Sequence, residues 1–182
     1  MFNSPAQIYS RTTVKLSTLK WALFSTIFAA LSVGLPWVAH QFNLAGSIYL
    51  PMHFFVLVAA LLAGWRVGLA VGIITPLVSY LVSGMPLLPV LPQITVEIAA
   101  YGLSAGILRG PLKMNAWVSL IGAIIIGRLA LAAAALFLGS KIGFMDIIVN
   151  AVKVGWPGIL IQFALVVILV KWLFHYLEKD NK

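Results

Sequence analysis

The chain has 182 residues, of which 62% are hydrophobic and 9% charged, with no cysteine; an ordinary soluble domain carries roughly 45–50% apolar and about 25% charged residues. Those proportions exclude a water-soluble globular domain, and the missing cysteines exclude disulfides, thiolate metal sites and a cysteine nucleophile. Twelve Lys and Arg stand against four acids, for a net charge of +8. The basic residues fall between apolar runs, so the excess reads as cytoplasmic loop charge beside membrane lipid, with no nucleic-acid partner.

Residues 1–20 are polar and carry Arg11, Lys15 and Lys20, and residues 21–39 form a nearly continuous apolar run. Such a start resembles a signal peptide, but the run is as long as a full span and no small-residue cleavage site follows it, so a retained first helix is expected. A second span over 50–63 ends at Gly64-Trp65-Arg66, and a third over 67–82 ends at Ser83-Gly84-Met85-Pro86. After a loop with Pro86, Pro89 and Pro92, a fourth span covers about 93–108 and stops at Arg109-Gly110-Pro111. A fifth is expected over 116–138 and a sixth over about 147–176. At about 20 residues per span, six helices leave no room for a soluble catalytic domain. Runs such as 120–138 do not alternate apolar and polar residues, which argues against a closed barrel. The expected class is an all-α membrane protein, a compact bundle of about six transmembrane helices. Its parts are a cytoplasmic segment 1–20, a six-helix transmembrane domain 21–177 and a cytoplasmic tail 178–182.

Loop charges set the expected orientation. With a cytoplasmic N-terminus, the inner segments hold Arg11, Lys15, Lys20, Arg66, Arg109, Lys113, Lys171, Lys179 and Lys182, and the outer ones only Lys141 and Lys153. Both termini are therefore expected in the cytoplasm. Trp21, Trp65, Trp117 and Trp172 then fall at the inner interface, and Trp37 and Trp156 at the outer one.

Small residues four apart share a helix face and let helix backbones approach in lipid. Gly64, Gly68 and Gly72 form one such ladder, Gly102, Gly106 and Gly110 another, and Ala22, Thr26, Ala30 and Gly34 a third. The first two are read as internal packing; the third is either packing or a docking face for another subunit.

Ionisable groups at membrane depth are costly, so they are paired or line a cavity. Arg128 lies near the middle of the fifth span, Glu97 one turn into the fourth, Lys153 and Asn150 in the first turns of the sixth, and His53 at the start of the second. Two readings stand: a Glu97–Arg128 salt bridge that only fixes packing, or an outward-opening polar pocket for a small solute. In the second, Arg128 and Lys153 outnumber Glu97, which favours a carboxylate or phosphate. Tyr80, beside the Pro76 interruption, and Trp156 complete the candidate contacts. His40 and His53 lack the spacing of a metal site. No serine has a histidine in register, no two acids share a span, and no phosphate-binding glycine loop occurs, so neither an enzyme nor a cofactor is expected.

The run Leu50-Pro51-Met52-His53-Phe54-Phe55-Val56-Leu57-Val58-Ala59-Ala60, followed by Gly64, Gly68, Gly72, Pro76 and Gly84-Met85-Pro86, resembles the S components of energy-coupling factor (ECF) vitamin importers. Glu97-Ile98-Ala99-Ala100-Tyr101-Gly102-Leu103-Ser104-Ala105-Gly106 is similar to the same family's fourth helix. The resemblance implies a multi-pass cell-membrane subunit that captures a vitamin or related micronutrient from outside; the charge count above favours an anion as that ligand. It further implies association with a transmembrane coupling subunit and two cytoplasmic ATPases, and toppling in the membrane to release the cargo. The family's first helix docks the coupling subunit through Ala-xxx-Ala; here the matching positions read Ala22-xxx-Thr26, Ser25-xxx-Ala29 and Ala30-xxx-Gly34. Nickel and cobalt members carry an N-terminal histidine, whereas this chain begins Met1-Phe2-Asn3. Two other functions remain open on the residues alone: a membrane assembly protein, and a self-sufficient secondary carrier, which usually shows two related halves.

Overall fold

The computed structural model describes residues 18–41 and 51–179. They form six helices: α1 (Thr18–Gln41), α2 (Pro51–Ala63), α3 (Trp65–Ser83), α4 (Leu91–Arg109), α5 (Ala116–Phe137) and α6 (Phe144–Lys179). No strand occurs among the described residues. Four of the helices, α3 to α6, are long and apolar enough to cross a bilayer, and the protein is an all-α membrane bundle. Residues 1–17 of the expected segment 1–20, residues 42–50 and residues 180–182 lie outside the described residues.

Local sequence sets the helix ends. α2 begins on Pro51, where the absent N–H is no loss because a first-turn donor has no intrahelical partner. α3 stops at Gly84, which adopts φ 71° and donates its N–H to the Tyr80 carbonyl at 2.8 Å; a β-carbon would be strained there. The Asn115 side chain accepts from the Val118 N–H at 2.8 Å and caps α5. α6 starts three residues earlier than its apolar run suggests, with Asp146 in the first turn, where a carboxylate complements the positive helix end.

α2 is hydrophobic all round, and such a helix belongs in the interior. Residues 56–62 are all fully buried, and α2 packs against α1, α3, α4 and α6. Its 13 residues span only about 20 Å, against a hydrocarbon core of about 30 Å.

The two glycine ladders bring α3 and α4 into backbone contact. A β-carbon on Gly68 would overlap the Gly102 carbonyl, one on Gly102 would overlap the Gly68 carbonyl, and one on Gly106 would strike the Trp65 backbone. A β-carbon on Gly72 would sit 2.7 Å from the Ile98 carbonyl oxygen. This contact fixes the register of α3 against α4, and Gly127 extends the principle to α5, where a β-carbon would meet the Tyr101 ring.

α6 differs along its length. From residue 155 onward it buries at least one residue per turn, namely Gly155, Gly158, Gln162, Val166, Val167 and Val170, whereas none of residues 144–154 is buried. Its first three turns lie at the periphery of the bundle.

Gly68→Val or Gly102→Val should separate α3 from α4 and cost about 1–3 kcal/mol, as overpacking does. Gly34→Ala should be neutral, because nothing lies within 4 Å of its would-be β-carbon. Thermal unfolding of the detergent-solubilised protein reads the difference.

Candidate functional site

Three helices meet in one polar layer. His53 sits in the first turn of α2, Glu97 and Tyr101 lie one turn apart on α4, and Arg128 lies on α5. Glu97 and Tyr101 share a face because they are four residues apart. The bare backbone of Gly127 admits the Tyr101 ring, which places the next residue, Arg128, beside Glu97.

The Arg128 Nη1 donates to Glu97 Oε1 at 2.6 Å. His53 Nε2 approaches the same carboxylate oxygen at 3.7 Å, beyond hydrogen-bonding distance. The His53 and Tyr101 rings meet edge to face, with centroids 5.0 Å apart. All four side chains are buried, with exposures of 6% for His53, 3% for Glu97, 5% for Arg128 and 0% for Tyr101.

Most of the polar atoms in this layer have no partner. Among the described residues, nine buried side-chain nitrogens and oxygens make no hydrogen bond, and five of them belong here: His53 Nδ1 and Nε2, Tyr101 Oη, and Arg128 Nε and Nη2. A sixth, Thr75 Oγ1, is three residues beyond Gly72, which abuts Ile98 and Ala99. A buried unsatisfied group costs about 1–3 kcal/mol, so a cluster of them makes this layer the candidate place for polar atoms from outside the chain. The unmet groups are mostly donors, because Arg128 has only N–H groups to offer.

The other sequence candidates lie elsewhere. Tyr80 is half-buried on α3, and Asn150 and Lys153 are exposed on α6. Trp156 is 57% exposed. At 100° per residue, Lys153 points almost opposite to Gly155, Gly158, Gln162 and Val166, the residues by which α6 faces the bundle. Asn150 shares its averted side with Asp146, one turn earlier. The structure thus brings together His53, Glu97 and Arg128, and does not bring Asn150, Lys153 or Trp156 to them.

Tyr101, Thr75 and Gln162 were missed. Gln162 is 1% exposed with neither amide atom bonded. The available signal for Tyr101 was its spacing from Glu97; that Gly127 makes room for the ring is visible only once α4 and α5 are paired. On α1, Thr26 and Ala30 are exposed and Gly34 faces open space. The Ala22 and His40 side chains lie outside the described residues.

A family model for the ECF transporter substrate-specific component matches residues 20–176. The chain belongs to that family. It matches no curated protein and no solved structure. As an S component it is a multi-pass plasma-membrane transport subunit and not an enzyme; it takes a small-molecule substrate and works with ECF coupling and ATPase partners.

Removing one member of a buried ion pair strands the other charge, at about 3–5 kcal/mol. Arg128→Ala and Glu97→Ala should each destabilise the S component by that much, and the double variant by clearly less than their sum. Lys153→Ala should leave stability unchanged. Reversible denaturation in mixed detergent, arranged as a double-mutant cycle, checks all three.

Proposed function

We propose that this S component captures a vitamin or related micronutrient from the external side, holds it at the layer of His53, Glu97, Tyr101 and Arg128, and delivers it with a coupling subunit and two ATPases. The observation that carries this reading is the five partnerless polar atoms on three side chains of one buried layer. A salt bridge kept only for packing accounts for Arg128 Nη1 and Glu97 Oε1, but it leaves Arg128 Nε and Nη2, Tyr101 Oη and both His53 nitrogens unexplained.

The distribution of charge supports outward access. Arg66 at the start of α3, Arg109 at the end of α4, Lys113 in the following turn and Lys171 late in α6 gather at one end of the antiparallel bundle. The Arg66 guanidinium stacks over Trp65 at 5.2 Å, a pairing suited to an interfacial belt. The positive-inside rule makes that end cytoplasmic. His53 and Glu97 lie toward the opposite ends of their helices, so in this reading the site sits in the outer half of the bundle and takes its ligand from that side.

α1 supplies the partner face in this reading. Ala22, Thr26, Ala30 and Gly34 recur every four residues. Where their side chains are described they point out of the bundle, and a smooth outward stripe is the surface a coupling helix can approach.

Tyr101→Phe separates binding from folding. The hydroxyl has no partner in the protein, so its removal should leave stability unchanged or raise it slightly, while weakening ligand binding about tenfold, the worth of one hydrogen bond to a charged or polar group. Unfolding and equilibrium binding measured on the same preparation test this; a loss of stability with no change in binding contradicts it. Ala30→Leu should leave folding and ligand retention intact and abolish co-purification with the coupling subunit; undiminished co-purification would remove α1 as the docking face.

A further inference from the structure

The same site also discriminates by charge, an inference that rests on the capture reading above: we infer that its ligand is a molecule without net charge that presents hydrogen-bond acceptors, such as a carbonyl, carboxamide or ring nitrogen. Among the described residues, Glu97 and Arg128 are the buried side chains of fixed charge, and they are bonded to each other at 2.6 Å. Their charges cancel. Lys153, which tips a sequence-level count toward an anion, is exposed on the averted side of α6 and does not add to the site.

A carboxylate or phosphate ligand on Arg128 Nε and Nη2 would share the one guanidinium with Glu97, which is bonded to Nη1 at 2.6 Å. The buried layer would then carry a net negative charge, or have to bring in an extra proton for His53, which stands 3.7 Å from Glu97. Each route leaves or creates charge in a low-dielectric layer that the protein has balanced. A neutral acceptor requires neither. It meets Arg128 Nε and Nη2 and Tyr101 Oη, all unpartnered, while the ion pair stays intact. The charge on Arg128 strengthens those bonds without needing a countercharge from the ligand.

The test uses the full-length protein in detergent and native mass spectrometry. It is incubated with equimolar neutral and anionic partners of one skeleton: nicotinamide with nicotinate, pantothenol with pantothenate, and biotinamide with biotin. A parallel sample receives yeast extract, and any retained compound is identified by mass and its charge at pH 7 assigned. The expected result is retention of a neutral compound, with at least tenfold preference over its anionic partner. Glu97→Gln, which leaves Arg128 uncompensated, should shift that preference at least tenfold toward the anion; the wild-type measurement stands alone if the variant does not fold. Equal or preferential retention of an anion by the wild type overturns the charge rule and leaves the capture reading in place. Retention of nothing from either mixture by folded protein overturns both.

Discussion

The ion pair between Glu97 and Arg128 constrains the rest of the molecule. In a bilayer neither charge can be left alone, so α4 and α5 must meet in the one register that joins them at 2.6 Å. Two glycine contacts make that register available. Gly127 gives up its side chain to the Tyr101 ring, and Gly68 and Gly102 let α3 support α4 from behind at backbone distance. α2, buried on all sides over 56–62, completes the layer by bringing the first turn of a short helix to the same carboxylate. The pair is thus a structural requirement that also leaves two nitrogens of Arg128 free to bind.

Much of this was legible in the residues. Span positions followed from apolar runs broken by Gly, Pro and basic residues, because a membrane leaves helices few alternatives. Glu97, Arg128 and His53 stood out because ionisable groups are rare at that depth. The difference from the structure lies on α6, where Asn150, Lys153 and Trp156 stand exposed. In a soluble helix the apolar side marks the core, but a lipid-facing side is equally apolar, and exposed Val149, Val152 and Val154 surround the averted Lys153. The helix phase therefore could not be read from hydrophobicity, and Lys153 and Asn150 were grouped with Arg128 by depth alone. The expectation of an anionic ligand came from the same grouping. Tyr101 was overlooked for a different reason: a tyrosine in an apolar run reads as packing until its hydroxyl is seen to lack a partner.

The helices divide the labour of an S component. α3 and α4 form a rigid unit whose backbones touch. α2, α4 and α5 carry the polar layer on that unit, so its geometry depends on helix packing and not on loops. α1 turns small residues outward, where a partner helix can approach. The first three turns of α6, with no buried residue over 144–154, stand at the periphery of the bundle.

The most direct measurement is a structure of the protein with its co-purified or added ligand. The account predicts ligand atoms within hydrogen-bonding distance of Arg128 Nε or Nη2 and of Tyr101 Oη, with the bond from Arg128 to Glu97 preserved. A ligand held instead by Asn150, Lys153 and Trp156, with the His53–Glu97–Tyr101–Arg128 layer unchanged and unoccupied, would contradict it.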